Sequence, residues 1–114
     1  MRIIVTLSLA GILGACAAPL PPTQKMESSS AAIRAAEEVG APKVPEAALH
    51  LQLAREQTEH AKALIAKGER DSVKGLLMRA EADADLAVAL SREDTSRRQA
   101  QEAIKEVRNL RGNP

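Results

Sequence analysis

Few residues in this chain of 114 could carry chemistry: one thiol (Cys16), two imidazoles (His50, His60), and one dense carboxylate run (Glu81, Asp83, Asp85). Asp83 and Asp85 stand two apart, so on a helix they face different directions and cannot work as paired carboxylates. His50 and His60 stand ten apart, about 2.8 helical turns, which places them on different faces. Glu56 and His60 share a face and could offer two ligands, but zinc takes three or four, and no third is in view. Both imidazoles read as solvated surface groups. Cys16 is the only cysteine, which excludes an intrachain disulfide and a thiolate metal cluster. There is no Ser/His/acid spacing, no CxxC and no glycine loop that would cradle a phosphate. The expectation is a chain with no catalytic residue, no metal, no cofactor and no small-molecule substrate.

Composition points the same way. The chain has no Phe, Tyr or Trp, and residues 16–114 hold 18 Leu, Ile and Val against 20 Ala. Large aromatics contribute about 150–250 Å² of burial each, so a core without them is thin and a deep substrate cavity is not expected. Single-stranded nucleic acid lacks a stacking platform here. The net charge of +1 falls to zero without Arg2, which leaves no field to steer DNA, RNA or anionic lipid.

Cys16 has a telling position. Met1-Arg2 supplies one positive charge, and Ile3–Leu13 follows as an apolar run of eleven residues. A membrane span needs about 20 residues, so the run matches the apolar part of a signal peptide. It ends in Leu13-Gly14-Ala15-Cys16, which resembles the lipobox of bacterial lipoproteins, with Gly14 where Ala or Ser is usual. That resemblance implies a diacylglycerol on the Cys16 thiol, cleavage before Cys16, and acylation of the new amine. Two or more acyl chains anchor a protein stably where one does so only marginally. Ala17 stands where an Asp would imply inner-membrane retention, so in a diderm host the anchor would sit in the periplasmic leaflet of the outer membrane. Ala15-Cys16-Ala17 also satisfies the small-x-small pattern of ordinary secretory cleavage, which remains open.

The rest reads as all-α: an antiparallel Ala-rich helical hairpin with a short preceding helix and an extended C-terminal helix. The expected division is signal peptide 1–15, lipidated Cys and Pro-rich tether 16–29, helical domain 30–111 and tail 112–114. Pro19, Pro21 and Pro22 favour extended polyproline II. Ile33, Ala36 and Val39 predict a first helix from about Ser30 to Val39, stopped by Gly40. Ala41–Pro45 is a turn, with Pro45 suited to the first position of the next helix. No breaker occurs from Glu46 to Lys67, and Gly68 closes that helix. Asp71 can cap a third helix to Arg111, unless Ser96-x-x-Gln99 caps a restart inside the polar run Ser91–Gln99.

Side-chain spacing also predicts the hairpin's register. Ala47, Leu51, Ala54, Thr58, Ala61 and Ile65 alternate steps of four and three, and so do Val73, Leu77, Ala80, Ala84 and Ala87. Folding the chain about position 69 sets Ile65 against Val73, Ala61 against Leu77, Thr58 against Ala80, Ala54 against Ala84 and Leu51 against Ala87. Large side chains then mostly face small ones, which permits close helix packing, near 8 Å between axes. By the same rule Asp83 lies opposite Arg55, and an ion pair is expected there. A further stripe, Ala100, Ala103, Ile104, Val107 and Leu110, lies past the end of the second helix. It needs cover, either from the first helix through Ile33, Ala36 and Val39 or from another chain.

Ala41-Pro42, Leu51, Ala54, Ala61, Gly68, and the run Ala80-Glu81-Ala82-Asp83-Ala84-Asp85-Leu86-Ala87 resemble domain-of-unknown-function family 4398. Its members are exported bacterial helical hairpins, commonly lipoproteins. Glu69, Thr58 and Pro45 depart from its pattern. The resemblance implies a fold and a cell-envelope compartment, not an activity. The expected function is a lipid-anchored helical spacer or adaptor working by protein–protein contact, with an envelope protein or a further copy as partner. The alternative is an accessory subunit or ligand-binding module of an envelope transport or assembly machine.

Overall fold

The computed structural model describes residues 21–112, so the signal-peptide and lipobox assignments, Leu13, Gly14, Ala15 and Cys16 among them, lie outside the described residues. Three helices follow in order: α1 Pro22–Glu38, α2 Pro45–Ala66 and α3 Val73–Gly112, with a single 3-10 turn at Ala41–Lys43. No strand occurs among the described residues, and none of these helices is long and apolar enough to cross a membrane.

The stops are where glycine is needed. Gly68 sits at φ +78°, and the amides of Gly68 and Glu69 bond back to Ile65 O and Leu64 O at 3.0 and 2.9 Å. That pair of bonds is a Schellman closure, which requires a left-handed residue at Gly68. Gly40, at φ +86°, ends α1 in a left-handed conformation too, with its amide on Glu37 O at 3.1 Å. Pro45 opens α2 as expected. α3 starts later than a cap at Asp71 implies: the carbonyl of Ser72 accepts its first helical bond, from the Leu76 amide at 3.2 Å. It then runs unbroken through Ser91–Gln99.

The hairpin register holds. Leu51 shares a buried cluster with Ala87. Ala61 shares another with Leu77 and Val73, and Ile65 packs on it. Ala47 and Ser91 continue the fold-back by one more layer, and both are buried. The core contains eight alanines, two leucines and one valine, so helix proximity rather than side-chain bulk fills it. Thr58 and Ser91 sit in this seam with each hydroxyl donated to the carbonyl four residues earlier, at 2.8 Å, which satisfies the buried groups locally.

The first helix corrects two expectations. It begins at Pro22, not Ser30, so most of the expected tether 16–29 that is described is helical. Pro21 is extended (φ −63°, ψ 154°) and Pro22 takes the first helical position, where its missing N–H costs nothing. The helix is held from outside: Met26 packs on the cluster at the α2–α3 turn, while Ala36 and Ile33 belong to the cluster at the far end. α1 therefore runs alongside α3, from the turn end to the open end, and the hairpin becomes a three-helix bundle. The first helix does not cover the stripe at 100–110, because its apolar face is spent on the hairpin itself.

Candidate contact surface on the long helix

Polar side chains join the helices at four places. Asp83 is the most connected: His50 Nδ1 lies 2.9 Å from its Oδ1, and Gln57 Nε2 donates to its Oδ2 at 2.8 Å. His50 is half-buried, which corrects its reading as a solvated group, whereas His60 and Glu56 are exposed as expected. Gln57 Oε1 is buried without a hydrogen-bond partner. Glu81 accepts from Ser28 Oγ at 2.6 Å and lies 3.5 Å from Lys25 Nζ, which ties α3 to α1. Ser29 Oγ, fully buried, lies 2.9 Å from both Lys25 O and Leu77 O, so its one proton bridges the two helices.

The expected Asp83–Arg55 pair does not form. Arg55 instead pairs with Glu37 of α1. The register rule places two residues at one height along the hairpin but says nothing of the flank. Arg55 follows the seam residue Ala54, and Asp83 precedes the seam residue Ala84. In an antiparallel pair of right-handed helices those two steps turn to opposite flanks. His50 and Gln57, seven apart and two turns along one face, lie on Asp83's flank. Asp85 is exposed and turned away from Asp83, as the two-residue spacing predicts.

These clusters pin helices together. Nucleophile, base and open pocket do not converge on the His50–Asp83 pair, and no group of three or more potential metal ligands occurs among the described residues.

The surface most open to a partner lies further along α3. Ser91 is the last buried residue of α3, and Asp94 after it is half-buried. From Ala100 to Gly112 every residue is exposed, and Ile104, Val107 and Leu110 stand 58%, 49% and 73% accessible. Ala100 and Ala103 continue the same stripe, also exposed. At about 100° per residue, Ala100 lies about half a turn round the α3 axis from Ser91, so the stripe faces away from the side that α2 occupies. Ion pairs within the helix stabilise the intervening polar segment: Glu93 with Arg97 at 2.5 Å and Asp94 with Arg98 at 2.7 Å.

Residues 24–103 match the domain of unknown function DUF4398. The chain belongs to this family. The DUF4398 match reaches beyond the motifs at 41–87 on both sides, taking in nearly all of α1 and the start of the stripe, and it ends before Ile104. No curated protein and no solved structure matches this DUF4398 chain. Of the residues that organise the domain, sequence spacing misses Ser29, His50 and Gln57. The steps Met26, Ser29, Ile33, Ala36 (three, four, three) are the signal that could have extended α1.

Proposed function

We propose that this DUF4398 protein is a lipid-anchored strut of the cell envelope that acts by protein–protein contact through the distal part of α3, without catalysis. The observation that carries this reading is the apolar stripe of Ile104, Val107 and Leu110, exposed on a helix that has already left its bundle. Burying such a face is favourable at about 25 cal/mol per Å², and none of the described residues covers it.

The anchor belongs to Cys16, on the lipobox resemblance, and its periplasmic outer-membrane location holds for a diderm host. The start of α1 lies beside the α2–α3 turn, because Met26 packs with Val73 and Leu77. Six residue steps separate Cys16 from Pro22, which reach at most about 20 Å. The turn end of the bundle therefore sits toward the membrane. The 37 steps from Val73 to Leu110 carry the stripe about 55 Å further out.

The test is photo-crosslinking in living cells from a probe at Ile104, with Cys16→Ser alongside. An intermolecular adduct that is lost in the Ser variant is expected. An adduct on a larger envelope protein would favour the accessory-subunit alternative. Crosslinks only into residues 30–44, or none, would overturn the contact.

A further inference from the structure

We propose that the distal segment of α3 pairs with α3 of a second copy, parallel and in register, both copies being anchored in the same membrane. This names the partner in the reading above and rests on it. The stripe has the spacing of a short coiled coil, with Ala100 and Val107 at one core position of the heptad and Ala103 and Leu110 at the other. Among parallel coiled coils, a β-branched residue at the first and leucine at the second favours two strands over three or four, and Val107 and Leu110 are such a pair.

The flanking charges select the orientation. Glu106 precedes Val107 and Arg111 follows Leu110, which are the positions that meet across a parallel pair. Glu106 of each copy then faces Arg111 of the other, twice by symmetry. In an antiparallel pair like flanks meet, which brings Ile104 beside Ile104 of the second copy but sets Glu106 against its Glu106. The parallel pair leaves Arg92 near Arg97 of the second copy, but Glu93 already holds that guanidinium at 2.5 Å.

The bundles do not obstruct the approach. α2 covers the Ser91 side of α3 and α1 the Glu81 side. On the outer side Gly75, Ala82, Ala89 and Ser96 recur every seventh residue in line with Ala103, and all are exposed. Pairing stops toward the bundle at Glu93, a core position where two carboxylates would meet. The contact is therefore about two heptads long and weak between free chains. Anchoring changes that in two ways: it points both α3 helices in one direction, and it confines both copies to one thin layer, which raises their local concentration in proportion to surface density.

The mature chain, residues 16–114, can be coupled through its sole thiol to maleimide-bearing phosphatidylcholine vesicles, with a benzophenone side chain replacing Leu110. The expected product is a dimer adduct mapping to residues 107–112 of the second copy. Glu106→Arg should lower its yield at least fivefold, and adding Arg111→Glu should restore it to within twofold. A Cys16→Ser chain, free at the same bulk concentration, should give at least tenfold less. Adducts mapping to residues 97–103, the absence of a dimer adduct, or indifference to Glu106→Arg would each overturn the pairing. An equal yield from the free chain would overturn the role of the anchor. Because the coupling is chemical, a chain that pairs on vesicles yet is never acylated in cells refutes the lipoprotein reading alone. A chain that is acylated in cells yet fails to pair on vesicles refutes the pairing alone.

Discussion

Asp83 accepts from two side chains of α2 while 21% of its own side chain is exposed, whereas Arg55 and its partner Glu37 are 51% and 40% exposed. The two residues therefore differ in consequence. Asp83→Ala leaves His50 and Gln57 half-buried without their acceptor, a loss of about 1–2 kcal/mol. Arg55→Ala removes a solvent-screened pair and should cost less than about 0.5 kcal/mol. Urea unfolding of the two variants checks this. Equal losses, or the larger loss at Arg55, would mean that the charges pair as the register alone implied.

Among elements, α2 and α3 are joined by a seam of small residues in which the few large ones matter most. Leu77 touches the turn-end cluster, and its carbonyl receives Ser29 of α1, so Leu77→Ala should cost about 2–5 kcal/mol. Leu110→Ala, on the free end of the same helix, should leave stability within about 0.5 kcal/mol. A chain ending at Gln99 extends that comparison to the whole segment. Its thermal midpoint should move by less than about 4 °C while its helical circular dichroism falls. A larger drop in midpoint would mean that residues 100–112 pack back on the bundle.

At the scale of the whole molecule, the described residues form a bundle at one end and a bare helix at the other, with the proposed anchor beside the bundle. In the proposed arrangement, Cys16→Ser should move the protein from the membrane fraction to the soluble one without altering its unfolding curve, since two or more acyl chains hold where none does. Fractionation of cells expressing each form measures the first, and denaturation of the purified soluble domain the second. Retention of the Ser variant in the membrane would end the lipid-anchor reading.

What the sequence determined by itself was local or periodic. The alternating steps from Ala47 to Ile65 and from Val73 to Ala87 identified the buried seam, the fold-back about position 69 set its register, and Gly40 and Gly68 marked the stops. These features depend on backbone conformation and on which residues recur on one face, and both are written in the order of residues. Tertiary structure alone decided the rest. Thr23–Ser29 reads as linker until Met26 and Ser29 find the hairpin, because polar serines carry no helical stripe of their own. The flank of Asp83 depended on the handedness of two helices packed together, which a register sum does not contain. Whether α1 covered Ile104, Val107 and Leu110 was a competition between two apolar surfaces for one helix. The hairpin won it, since its seam lies within reach of a helix that starts beside the turn.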